Sequence, residues 1–305
     1  MHNLLWCLNT EKGYSVLKML YSEMNPALNL VCSYPEWNVQ ENYGDKIEAF
    51  CRKKGIQFIK WEELKNNFLH YLTQHNITGI VAIGWQYLLP MELNKILPDK
   101  IIVFHDGLLP KYRGFCPLAT AILKGETEVG VSVIYASERI DEGDIILQNK
   151  VVIDNSIYLH EAISMLSKLY CKSAQTLINM IYAENILAIK QDHSKASYCI
   201  WRNPEDNKIN WNESAESIYN LIRASGSPYF GAYTKMGNEI VRVWEAVVLD
   251  YDLNFEIRQP GKIWKLEEGK PIVVCNPGLI MILSATFDDG RDIFPLNKLR
   301  LKLGD

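Results

Sequence analysis

The chain predicts an α/β fold, a doubly wound sheet in its first half followed by a small β-barrel. Three observations carry that prediction. Short apolar runs alternate with amphipathic stretches of helical period through the first half. The run at residues 77–83 is apolar and bordered by glycine, the pattern of a strand buried on both faces. After Gly226 the helical period disappears, and five short strand-like pieces follow, separated by glycine and proline turns.

Taken in order, residues 4–8 read as a strand, and residues 13–23 as a helix with Val16, Leu17 and Leu20 on one face. Residues 28–33 give a second strand. Residues 45–54 give a helix carrying Ile47, Phe50 and Cys51 at helical spacing. A short strand at 57–59, a helix at 62–74, and strands at 77–83 and 100–104 complete a parallel, doubly wound pattern. Such sheets bind ligands beyond the carboxyl ends of their strands, here just after Ile83 and Phe104. Strands at 131–135 and 145–152 follow, then a long amphipathic helix at 158–184, with Leu159, Ile163, Leu166, Tyr170, Leu177 and Ile181 on one stripe. The pattern turns polar and irregular around 190–206. Ser214 then caps a short helix bearing Ile218, Leu221 and Ile222. Terminal strands are expected at 232–235, 239–248, 261–266, 272–276 and 279–285. These boundaries give a first domain at 1–190, a linker at 191–212 and a terminal domain at 213–305.

Composition removes several functional classes. Of 305 residues 48% are hydrophobic and 22% charged, and the net charge is −4, whereas a protein that neutralises many phosphates shows a basic surplus or patch. The densest basic cluster, Arg52-Lys53-Lys54, reads as the polar face of a helix, so no nucleic-acid partner is expected. The seven cysteines are scattered and form no C-x-x-C pair, which suits reduced core thiols in a cytoplasmic protein. No apolar run reaches the ~20 residues that span a bilayer, and the N-terminus lacks a basic head and cleavage site, so no membrane association is expected. There is no G-x-G-x-x-G, no G-x-x-x-x-G-K-[ST] and no G-x-S-x-G. The six histidines are dispersed, and no metal is expected.

The stretch from Val103 to Asp144 carries the chemistry. His105 closes an apolar strand, where an imidazole can act as a base or polarise a carbonyl. Asp141 lies in the turn Ile140-Asp141-Glu142-Gly143-Asp144, after another strand. A carboxylate beside an imidazole fixes its tautomer, and together they form an acid–base pair. Between them lies Leu108-Leu109-Pro110-Lys111-Tyr112-Arg113-Gly114, whose Arg113 suits either a substrate charge or a salt bridge that pins the loop. Gly84-Trp85-Gln86-Tyr87-Leu88-Leu89-Pro90 puts two aromatics at a strand end, a wall for a flat heterocycle or core packing.

These residues resemble the 10-formyltetrahydrofolate-dependent formyltransferases. The likeness is carried by His105 with Leu108-Leu109-Pro110-Lys111-Tyr112-Arg113-Gly114, by Gly130-Val131-Ser132, and by Asp141-x-Gly143-Asp144-Ile145. Further on, Arg202-x-Pro204-Glu205-Asp206, Ile222-Arg223-Ala224 and Pro228-Tyr229-Phe230-Gly231-Ala232-Tyr233 are similar to the methionyl-tRNA formyltransferase branch. The resemblance implies a Rossmann-like sheet that binds folate at its carboxyl edge and an OB-like terminal barrel. It implies 10-formyltetrahydrofolate as cosubstrate and His105 and Asp141 as catalytic residues. It also implies a folate site drawn from Trp85, Tyr87, Leu88, Leu109, Asp141 and Asp144. The family's third catalytic residue, an asparagine, falls on Val103, and Gly107 stands where a serine is common.

Two acceptors fit that branch, an initiator methionyl-tRNA and a nucleotide-linked amino sugar. The loop Ser33-Tyr34-Pro35-Glu36-Trp37-Asn38-Val39-Gln40-Glu41-Asn42 has no basic residue, whereas the tRNA enzymes carry a basic loop there. The expected acceptor is therefore the amino sugar, with Arg113, Tyr34 and Trp37 as substrate-binding residues. Three alternatives stand beside it: a methionyl-tRNA formyltransferase, a folate hydrolase that releases formate without an amine acceptor, and a folate binder with weak or no activity because of Val103. Apolar side chains in the terminal strands offer a homodimer surface.

Overall fold

The computed structural model describes residues 3–36, 39–90 and 92–304. Contacts divide the chain into two compact units: residues 1–118, 127–153 and 161–200 form the first, and residues 119–126, 154–160 and 201–305 the second.

The first unit is laid out by strands and helices in alternation: β1 (Leu4–Leu8), α1 (Thr10–Glu23), β2 (Leu30–Ser33), α2 (Tyr43–Lys54), β3 (Phe58–Lys60), α3 (Trp61–Leu64), α4 (Phe68–Gln74), β4 (Gly79–Ile83), α5 (Leu93–Ile96) and β5 (Ile101–His105). All five residues of β1 and all five of β4 are buried, as strands covered on both faces must be. Asn9 starts α1 by accepting from the Thr10 amide. Asn42 starts α2 by accepting from the Asp45 amide, and Gly55 ends it in the left-handed region at φ 68°. Arg52, Lys53 and Lys54 occupy the last turn of α2, where cations meet the negative end of the helix dipole, and Arg52 pairs with Glu48.

The helix expected at 62–74 is two helices. Between them the Asn67 side-chain amide donates to the Glu63 carbonyl, a local bond that competes with helical continuation.

After the short β6 (Arg113–Gly114) the chain forms α6 (Pro117–Leu123), most of which belongs to the second unit, and the first unit continues with β7 (Glu128–Tyr135), β8 (Ile145–Val152), α7 (Leu159–Tyr182) and β9 (Tyr198–Cys199). The seven-stranded sheet has the order β3-β2-β1-β4-β5-β7-β8. The first five strands are parallel, and β7 and β8 add antiparallel. The strands expected to be parallel are parallel, and the turn joining β7 to β8 is too short for the crossover that a parallel pair needs. The strand order reverses between β1 and β4, so their carboxyl ends form the crevice where such sheets take ligands.

The second unit packs α8 (Ala215–Ser225) on a five-stranded antiparallel sheet of β10 (Ala232–Met236), β11 (Glu239–Val248), β12 (Ile263–Glu267), β13 (Lys270–Val274) and β14 (Leu279–Phe287), in the order β10-β11-β14-β13-β12. Ser214 caps α8 by accepting from the Ser217 amide. Its core joins Trp211, Ile218 and Ile222 to Val241, Val243, Val273, Ile280 and Ile282. Residues 301–304 close the sheet. The Ile263 amide donates to the Leu301 carbonyl and the Leu303 amide to the Gly261 carbonyl on the β12 side. The Gly304 amide donates to the Lys235 carbonyl on β10. Both edges are thereby paired and the sheet becomes a barrel. Among the described residues no helix is long and apolar enough to cross a membrane, and no cluster of His, Cys, Asp or Glu could hold a metal ion.

Candidate active site

His105 ends β5 and is buried, with both ring nitrogens facing oxygen. Nε2 lies 2.7 Å from the Tyr112 carbonyl and Nδ1 lies 3.3 Å from Asp141 Oδ2. The carbonyl can only accept, so Nε2 carries hydrogen, and the ring's remaining proton position is the one shared with Asp141. Asp141 is presented by a tight turn. Its backbone is left-handed at φ 54°, and its Oδ2 also accepts from the Gly114 amide at 2.8 Å. Gly143 is required two residues on, because a Cβ there would lie 1.7 Å from the Tyr135 carbonyl oxygen.

The loop after His105 is tied down by buried polar groups. Ser132 Oγ donates to the Gly107 carbonyl at 2.5 Å and accepts from the Leu109 amide at 3.1 Å. Gln148 donates to the Leu109 carbonyl at 2.9 Å. Leu109 is therefore a buried part of the wall.

Arg113 is fully buried, with its guanidinium spent inside the protein. Nε and Nη2 donate to Gln191 Oε1 at 3.2 and 2.8 Å, and Nη1 donates to the Tyr198 hydroxyl at 3.1 Å. Glu142 Oε1 lies 3.1 Å away. Of its two sequence readings, the geometry favours the one that pins the loop. The same Gln191 donates to the carbonyls of Asp141 and Gly143, both at 2.7 Å, so Arg113 and Gln191 together hold the Asp141 turn.

Asp106, next to His105, forms an ion pair with Lys12 from the first turn of α1 and accepts from the Tyr170 hydroxyl of α7. Burial alone would raise the Asp106 pKa. Lys12, Tyr170 and the nearby His105 outweigh that and hold the carboxyl below the ordinary aspartate value. Burial, then Asp106, pushes the Tyr170 phenol well above its usual range. Sequence reading missed Lys12, Tyr170 as a site residue, and Gln191. Lys12 falls just before the helix expected at 13–23, Tyr170 reads as a core stripe, and Gln191 as irregular linker.

Trp85, Tyr87 and Leu88 follow the end of β4, the strand next to β5. Gly84 makes the turn at φ 61°, where a Cβ would sit 2.3 Å from the Asn9 carbonyl oxygen. Trp85 packs edge-on to Tyr34 and Trp61 at 4.9 and 5.1 Å, and its indole nitrogen is buried with no partner among the described residues. Tyr87 stacks on Trp61 at 5.3 Å and stays 41% exposed, and Leu88 is 81% exposed. Tyr34 is buried, and its hydroxyl accepts from the Gln86 amide at 3.0 Å, so its ring belongs to this aromatic cluster rather than to an open stacking surface. Trp37 lies outside the described residues. Asp144 is half-buried and its carbonyl accepts from the Tyr135 amide at 3.1 Å.

Comparison with known proteins gives one picture at the level of family. Residues 27–169 match the formyl transferase family and residues 202–297 match the formyl transferase C-terminal domain. The methionyl-tRNA formyltransferase of Caldicellulosiruptor saccharolyticus is 27% identical over 300 residues, 95% of each chain. Among solved structures, WlaRD, a sugar 3N-formyl transferase crystallised with dTDP and 5-N-formyl-THF, superposes with a TM-score of 0.70 at 18% identity. The match covers 98% of this chain and 99% of that one. An N-formyltransferase from Helicobacter canadensis, in complex with folinic acid and dTDP-3-aminofucose, superposes with a TM-score of 0.68 at 19% identity over 92% of this chain and 99% of that one. A mixed sheet with a buried histidine at its carboxyl edge, a closed terminal barrel and both domain matches lead to one conclusion: the chain belongs to the formyltransferase family, the folate-dependent transferases of one-carbon groups.

Proposed function

We propose that the protein moves a formyl group from 10-formyltetrahydrofolate to the amine of a nucleotide-linked amino sugar. The His105–Asp141 pair, held at 3.3 Å at the sheet's carboxyl edge, is the observation that carries the acid–base part of this reading. The acceptor amine attacks the formyl carbon, and the proton it loses is taken up by His105 with Asp141 and delivered to the folate nitrogen as that nitrogen leaves. Positioned acid–base work of this kind is worth ~10²–10⁴ in rate. The exposed Tyr87 and Leu88, beside the Trp85 indole N–H that has no partner among the described residues, suit the flat heterocycle of the folate, with Leu109, Asp141 and Asp144 as its further binding residues. A cytoplasmic setting agrees with seven cysteines that form no disulfide.

The sugar reading is supported by charge. In the loop after β2 the described ionisable side chains include Glu36 and Glu41, and no lysine or arginine is present. The basic cluster of the first unit lies on the last turn of α2. Neighbours with sugar-nucleotide ligands that superpose along nearly their whole length favour the same acceptor. The second reading, formylation of methionyl-tRNA, is favoured by the name and full-length coverage of the sequence relative.

The deciding experiment supplies 10-formyltetrahydrofolate with either a panel of nucleotide-linked amino sugars or initiator methionyl-tRNA, and follows product by mass spectrometry. Formylated sugar is the expected product. Formylation of the tRNA alone would replace this reading with the second, and folate binding without turnover on any amine would leave a folate binder.

A further inference from the structure

Acyl transfer gathers negative charge on the carbonyl oxygen, and a site that speeds it supplies a hydrogen-bond donor there. Around His105 most groups are acceptors or already spent. The Tyr112 carbonyl, Asp106 and Asp141 accept. The Gly114 amide is used by Asp141, the Leu109 amide by Ser132, and the Tyr170 hydroxyl by Asp106. Arg113 is consumed by Gln191, Tyr198 and Glu142. Val103, two residues before His105 and so on the same face of β5, is apolar.

Lys12 is different. Its ammonium has three hydrogens, and among the described residues its one hydrogen-bond partner is Asp106. Tyr170 donates to the other oxygen of that carboxylate, and Lys12 keeps two hydrogens without a hydrogen-bond partner among the described residues. The ion pair joins the element after β1 to the residue after β5, with β4 lying between those strands. It therefore spans the carboxyl end of β4, at the crevice where the strand order reverses. A buried ion pair is often matched or bettered by apolar packing, so stability alone is a weak reason for keeping this one.

We infer that Lys12 is a catalytic residue that donates a hydrogen bond to the formyl oxygen during transfer; this rests on the formyltransferase reading above. The bond from the acceptor nitrogen to the formyl carbon forms while the carbonyl π pair moves onto oxygen, where the Lys12 hydrogen bond strengthens. The pair then returns and the carbon–nitrogen bond to the folate breaks. The folate nitrogen receives the proton that the acceptor amine gave up through His105. Lys12 neither gains nor loses a proton overall.

The test uses the full chain. Lys12→Met is expected to lower kcat by ~10²–10³, the usual cost of one such donor, with little change in KM. Affinity for 5-formyltetrahydrofolate, read by calorimetry, should match that of the unaltered protein. Val103→Asn in the Lys12→Met background is expected to regain turnover, because it places an amide donor on the same strand face as His105. Lys12→Gln, which keeps N–H donors on a shorter stem, should retain more turnover than Lys12→Met, and it carries the test if the methionine variant fails to fold. Near-normal kcat in Lys12→Met overturns the inference. So does a loss of folate affinity that parallels the loss of rate in a folded Lys12→Met, or a folded Lys12→Gln whose kcat falls by the full ~10²–10³. A natural chain that formylates no amine would instead overturn the function proposed above.

Discussion

His105 has no spare nitrogen, and that governs how its substitutions should behave. With Nε2 on a carbonyl and Nδ1 on Asp141, the imidazole and carboxylate act as one unit. His105→Ala and Asp141→Asn are each expected to lower kcat by ~10²–10⁴, and the double variant to lose little more than the worse single one, since groups acting together are far from additive. Steady-state rates on the three proteins check this. Arg113 belongs to the framework. Arg113→Met strands Glu142 and Gln191 and is expected to cost about 3–5 kcal/mol, the usual penalty for breaking a buried pair, as read by urea unfolding. Asp106 sets a pH dependence. Its folded pKa lies below the unfolded one, so the native state holds its proton less tightly than the unfolded chain. The stability it contributes is therefore complete above the ordinary carboxylate range and is lost as pH falls through that range toward the lower folded value. Urea unfolding between pH 7 and pH 3 should show this slope, and Asp106→Asn should flatten it.

At the scale of elements, the turn that presents Asp141 depends on close backbone approach. Gly143→Ala would push a methyl into the Tyr135 carbonyl, so the turn must move. A fall in turnover with KM for the acceptor less affected is the expected result, measured beside the melting temperature. Strand and helix positions were largely legible from apolar period, because a strand buried on both faces or a helix with one buried stripe must show it in local sequence. Residues 4–8, 145–152 and 239–248 coincide with β1, β8 and β11. The break between α3 and α4 was not legible, since Asn67 competes through one side-chain bond that leaves no periodic trace. The direction of β7 and β8 was not legible either, because period reports burial and says nothing of strand direction.

For the whole molecule, each unit has its own way of finishing a sheet. In the second unit the closing segment at 301–304 pairs both barrel edges, and Leu303 is buried in the core. Leu303→Asp would bury an unpaired charge and free both edges, so a lower melting temperature and concentration-dependent aggregation are expected in calorimetry and light scattering. Sequence alone determined the fold class and most of the strand and helix order, and it singled out His105 and Asp141, which the structure brings within 3.3 Å of each other. Tertiary structure decided which groups surround them. Lys12 lies 94 residues from Asp106, and Arg113 lies 78 from Gln191. The physical reason is that periodicity encodes which face of an element is apolar, whereas hydrogen-bond partners are fixed by where separate elements meet. No local pattern records that meeting.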